Sequence, residues 1–191
     1  MKRAAIAVAA VIAGFVLLAA MRWSAPAYDR IVGPIATAGA PGARVATDNL
    51  SVIAGQPRLA RAVRFRQQGG PPATRDTGGV WLVVPLATSV EHTTGQVRGV
   101  TWQVADGRRY AASARLGEAD AVIAGKSVQP GMERKDLAVF ELPPDAVPGG
   151  TLVLSEDAFP QLTGEVRVAY PSAAPPAPIA LLDLDQLDAR L

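Results

Sequence analysis

Few side chains in this sequence have the types and spacing that catalysis needs. The single histidine, His92, stands in Ser89-Val90-Glu91-His92-Thr93-Thr94. A serine triad requires a nucleophile, a base and an orienting acid to converge in space. Here the three candidates are sequence neighbours, and an extended chain aims adjacent side chains at opposite faces. No G-x-S-x-G elbow supports them. His92 is therefore expected as a polar residue at a strand end or in a loop. Glu118 with Asp120, and Glu156 with Asp157, are the local carboxylate pairs. Glycosidase pairs usually come from distant segments that flank a sugar, so both pairs read as solvated turn residues.

Cysteine is absent, which removes disulfides, thiolate nucleophiles, Cys-ligated zinc and a lipidated cysteine. One histidine without cysteine makes zinc unexpected. Asp183, Asp185 and Asp188 are spaced suggestively for calcium, but the glycine and terminal glutamate of an EF-hand loop are missing. Gly69-Gly70 and Gly149-Gly150 lack the Lys-Ser/Thr that completes a phosphate loop. The expectation is a non-enzyme, with no catalytic residue, metal ligand or cofactor assigned.

The remaining candidates concern binding. Arg58, Arg61, Arg64, Arg66 and Arg75 make one stretch basic, while Asp183, Asp185 and Asp188 outnumber Arg190 at the C-terminus. A basic patch suits anionic lipid or an acidic partner; the competing reading is the solvated face of a strand and its loop. With 19 Lys+Arg against 17 Asp+Glu, the excess is too small for a nucleic-acid surface. The last residues, IALLDLDQLDARL, set Ala180, Leu184, Leu187 and Leu191 on one helical face. They follow a Pro/Ala spacer over 171–178. A short amphipathic helix on a leash suits a partner's groove. Alone in water it is too short to stay helical, so it needs a partner or its own domain, where its acids could meet the arginines. Leu184, Leu187, Leu191, Arg58, Arg61 and Arg64 are the candidate partner-binding residues.

Lys2 and Arg3 precede an uncharged run, Ala4–Met21. As a helix that run is roughly 27 Å long, enough for a bilayer core. Arg22 and Trp23 follow as an interfacial anchor would. An uncleaved transmembrane signal-anchor over 1–22 is preferred on run length; cleavage before Tyr28, after Ala25-Pro26-Ala27, is the alternative. Either way the domain is expected outside the cytoplasm, and the preferred anchor holds it on the cell membrane by a single pass. Breakers over 23–43 mark a linker. From 44 to 170, short apolar runs alternate in period two, as in Val100, Trp102 and Val104. Strands are predicted near 45–53, 58–66, 80–90, 97–105, 108–114, 137–142, 151–155 and 164–170. Val80-Trp81-Leu82-Val83-Val84 is apolar on both faces, as in a central strand. Gln67 to Gly79 reads as a flexible loop, and Asp106-Gly107 as a tight hairpin. Trp81 and Trp102 are expected in the core rather than along a ligand groove. Seven or eight such strands predict an all-β, antiparallel sandwich preceded by one transmembrane helix.

The middle of the chain resembles the DUF4352, telokin-like immunoglobulin-fold proteins of exported bacterial lipoproteins and antigens. The likeness runs from Val80 to Tyr170. It rests on Val80-Trp81-Leu82-Val83-Val84, Asp106-Gly107-Arg108-Arg109-Tyr110, Gln129-Pro130-Gly131 and Val139-Phe140-Glu141-Leu142-Pro143. Ala87-Thr88-Ser89 stands where the family often has an asparagine, and the lipidation cysteine of many members is missing. The resemblance implies an immunoglobulin-like sandwich beyond the membrane and no activity. Three functions follow in order of expectation. The first is a tethered accessory module for another envelope protein. The second is a small-ligand or lipid-binding sandwich with an apolar cavity between its sheets. The third is an envelope hydrolase with a cleft of perturbed carboxylates.

Overall fold

Alternating β-branched and polar residues build most of the chain into strands. The computed structural model describes residues 2–24, 31–67, 70–117, 119–123, 125–171 and 176–187. They fall into two units, Met1–Gly33 and Pro34–Leu191.

The first unit holds α1, Lys2–Ser24, with Val11, Phe15 and Leu18 exposed. Among the described residues no helix is long and apolar enough to cross a membrane. The expected transmembrane anchor, and with it the single-pass membrane location, is corrected to a helix not shown to span.

The second unit is a β-sandwich. Its strands are β1 Ile35–Gly39, β2 Arg44–Ala46, β3 Leu50–Ala54, β4 Arg58–Arg66, β5 Pro72–Val90, β6 Gly95–Gln96, β7 Gly99–Gln103, β8 Arg109–Ala111, β9 Ser127–Val128, β10 Glu133–Leu142, β11 Thr151–Ser155, β12 Gly164–Ala169 and β13 Ile179–Asp183. One sheet runs β1-β12-β11-β7-β8; the other runs β13-β4-β5-β3-β2, with β10 on the far side of β5, and β6 and β9 pair apart. Most pairings are antiparallel, but β1 lies parallel to β12 and β13 parallel to β4. Between the sheets pack Leu82, Val84, Leu86 and Phe140 against Trp102, Leu152, Leu154 and Val168. Trp102 Nε1–H donates to the Ala146 carbonyl at 2.9 Å.

The second sheet is buried on both faces. Trp81 and Val83 of β5, with Leu137 and Val139 of β10, belong to a separate outer cluster. A register shift between Ala60 and Ala62 of β4 flips its alternation, so Leu59 faces the inner core while Val63 and Phe65 face the outer one. Pro85 sits inside this central strand without a ladder penalty. Its carbonyl accepts from the Gly55 N–H, so its missing N–H faces the same side. That is the seam where β4 ends at Val83 and β3 begins at Leu86.

Several boundaries differ from those predicted. Residues 72–79, read as loop, extend β5 and pair with β4, as in Ala73 opposite Phe65. Gly79 there is no turn signal: a Cβ would strike the Leu142 carbonyl, so glycine serves close approach of the backbones. The linker contains β1, and the tail contains a strand instead of a helix. The Asp106-Gly107 hairpin forms as expected, joining β7 to β8 with Gly107 at φ +91°. The Arg108 backbone N–H donates to Asp106 there, and Arg108 Nε to the same carboxylate. Together they hold that carboxyl below its usual range.

Candidate functional site

The basic stretch and the acidic tail meet on the edge of the second sheet. The strand Arg58–Arg66 presents its outer backbone to β13 in parallel register, with Ile179 opposite Ala60, Leu181 opposite Ala62, Leu182 opposite Val63 and Asp183 opposite Arg64. The pairing continues past the strand: Leu184 N–H donates to the Arg64 carbonyl at 2.8 Å. The Arg66 N–H donates to Asp185 Oδ1 at 3.3 Å.

The side chains follow the period of two. Leu182 and Leu184 are buried in the outer cluster. Asp183 lies 4.0 Å from Arg64 Nε, a half-exposed contact of small energetic weight. The same residues admit a helical face, and a run this short cannot separate the two periods. The unpaired edge of β4 decides for the strand, because alternate backbone groups of the tail gain partners there. Ile179 and Leu181 remain 48% exposed.

The candidate partner-binding residues thus separate. Leu184, Leu187 and Arg64 gather at this seat, with Leu184 buried and Leu187 partly so. Arg58 and Arg61 are exposed, and among the described residues neither has an ion-pair partner. Leu191 and Asp188 lie outside the described residues.

A second segment covers the same face. The short 3-10 turn Ala114–Leu116 buries Leu116 over Trp81, and Ala119 and Val122 join it. Val122 bridges to Leu137. Nothing in the sequence marks this cover as packed against a sheet. Its apolar residues are few and spaced with no regular period.

Where cover and tail meet, an open cleft of about 450 Å³ is lined by Arg66, Asp120, Lys135, Asp136, Leu184 and Leu187, among others. Asp136 is buried there and both its oxygens are engaged, by Lys126 Nζ at 3.3 Å and Arg134 Nε at 2.6 Å. This explains how a carboxylate survives in β10. Nearby, Arg115 Cζ stands 5.7 Å over the Trp81 ring and its Nη1 pairs with Glu141 at 2.7 Å. Partial burial pushes the Glu141 carboxyl up, but the Thr77 hydroxyl and Arg115 together outweigh it and hold it below its usual range. Among the described residues the buried Trp81 Nε1–H has no hydrogen-bond partner.

The residues weighed for catalysis do not assemble. His92 is exposed, and its backbone N–H donates to Asn49 Oδ1 at 3.0 Å. Ser89 Oγ accepts from Arg44. Glu156 accepts from Asn49 Nδ2 at 2.8 Å and Asp157 from Ser155 Oγ through its backbone oxygen, so this pair fastens loops. Glu118 and Gly69 lie outside the described residues. Among the described residues no group of three or more His, Asp or Glu could hold a metal.

No protein family is matched by the sequence, and what the strand pairing shows is a β-sandwich. No curated protein is matched either. Two solved structures are similar in fold. One is an uncharacterised β-sandwich protein from Clostridium difficile 630, at TM-score 0.43 and 10% identity, covering 71% of this chain and 95% of that one. The other is the secreted protein MPT63 of Mycobacterium tuberculosis, at TM-score 0.48 and 14% identity, covering 72% of this chain and 98% of that one. At these scores neither carries a function to this chain, and the description as a β-sandwich rests on its own strand pairing.

Proposed function

We propose that this chain is an exported, non-catalytic, immunoglobulin-like module that binds another envelope protein. The observation that carries the reading is β13 on β4. One sheet edge already accepts an extended segment by backbone pairing, with pockets for alternate side chains, which is the physics of strand-addition recognition. The basic start Lys2-Arg3 and the apolar residues after it fit an export signal and support placing the sandwich outside the cytoplasm.

The test is photo-crosslinking in the native host, with p-benzoylphenylalanine in place of Arg61, followed by mass spectrometry of the adducts. One dominant adduct to another envelope protein is expected. Adducts confined to the chain itself would overturn the reading. Protease shaving of intact cells tests the location: an accessible sandwich is expected, and a protected one refutes export.

A second reading is favoured by the cleft beside Leu184. Its lining mixes cationic Arg66 and Lys135 with the carboxylates of Asp120, Asp136 and Asp185 and apolar Leu137 and Leu187, which suits a small amphipathic zwitterion. Native mass spectrometry of the protein purified from its host should then find a retained small molecule, and a bare chain mass rejects this alternative.

A further inference from the structure

We propose that the β4 edge is a groove for an extended protein segment of alternating leucine-like and acidic residues, which the chain's own tail keeps closed. The inference rests on the protein-binding reading above and names the partner's chemistry.

The tail spells the motif. Over Leu182-Asp183-Leu184-Asp185, the leucines enter the outer cluster while Asp183 approaches Arg64 and Asp185 accepts from the Arg66 N–H. The match is incomplete further up the strand. Ala180 lies between Ile179, opposite Ala60, and Leu181, opposite Ala62. It therefore falls in register alongside Arg61, an exposed cation. A segment with an acid at that position adds an ion pair that the resident tail lacks.

The tail is also placed to leave. The strand before it is pinned independently. Tyr170 N–H donates to the Gly150 carbonyl at 3.0 Å and its hydroxyl to the Gly55 carbonyl at 2.9 Å. A Pro/Ala stretch, Pro171–Pro178, separates that pin from β13. Release need not disturb the sandwich. Until release, the tethered tail competes at an effective concentration on the order of millimolar, so an incoming segment must exceed it.

The experiment uses the full chain and two fluorescent peptides read by anisotropy. One has the sequence of residues 177–187; the other is identical except for Ala180→Glu. The Leu184→Asp chain, whose tail is unseated, should bind the first peptide at least about tenfold more tightly than the wild type does. The glutamate peptide should bind the Leu184→Asp chain about two- to fivefold more tightly than the first. Arg61→Ala, added to that chain, should erase this preference, the two peptides then binding equally. Near-ultraviolet circular dichroism from Trp102 verifies that the variant is folded; if it is not, the milder Leu184→Ala replaces it.

Equal binding of the first peptide to wild-type and unseated chains overturns the closed groove. A preference for glutamate that survives Arg61→Ala overturns the motif. Failure of both peptides beside a native crosslink to another protein overturns the groove alone and leaves the binding module standing. Peptide binding without any native crosslink supports the groove and counts against the accessory role.

Discussion

At the scale of single residues, the two tryptophans make a controlled pair. Both are fully buried, but Trp102 donates to the Ala146 carbonyl, whereas Trp81 donates to no group among the described residues. Trp102→Phe should therefore cost about 1 kcal/mol more than Trp81→Phe, the net worth of one hydrogen bond, when both are measured by urea unfolding. Equal costs would mean that Trp81 has a partner in solution. Glu141 tests the electrostatics. Its folded-state carboxyl lies below the ordinary glutamate value of 4.5. Its contribution is therefore fully present above that value and declines as pH falls below it through the folded pKa. Urea midpoints should drop more steeply below about pH 4.5 in the wild type than in Glu141→Gln. Parallel curves would remove Glu141 from the acid response. The core placement of both tryptophans was legible in the sequence, because each sits in a strong apolar strand pattern. The missing partner of Trp81 was not, since it depends on which segment covers it.

At the scale of elements, glycine and the tail are the instructive cases. Gly150 faces Trp102 so closely that a Cβ would overlap the indole. Gly150→Ala should destabilise by about 1–3 kcal/mol through overpacking, read as a lowered urea midpoint at unchanged slope. In the sequence, Gly149-Gly150 and Gly78-Gly79 both look like turn signals, because close backbone approach and positive φ ask for the same residue. The tail shows the matching ambiguity in period. Leu184→Asp should remove hydrogen-exchange protection along the β4 edge while amides between β5 and β10 stay protected. Uniform loss along the whole sheet would mean that the tail is integral to the fold. The central strand Val80–Val84 was legible from its two apolar faces, and the β7–β8 hairpin from Asp106-Gly107. Both depend on contacts near in sequence or on burial common to all solutions.

At the scale of the whole molecule, the second sheet is covered outside by two irregular segments, one around Leu116 and one from the C-terminus. Each buries few apolar side chains. Under native conditions, hydrogen exchange should report lower opening free energies for 114–123 and 179–187 than for 80–86 and 137–142. A single shared opening energy would show the covers and the sheet to be one cooperative body. The sequence alone determined the all-β class, the inward rows of β7, β10 and β12, and the central place of β5, since period-two alternation and two-sided burial are written locally. Tertiary structure decided the rest. It parked β1 beside β12 and β13 beside β4, flipped β4 at its bulge, and laid Leu116 on Trp81. Edge pairing joins backbones through groups that every residue carries, so the strands it recruits have no composition of their own. A four-residue Leu-Asp alternation becomes a strand only where an unpaired edge with arginines is waiting for it.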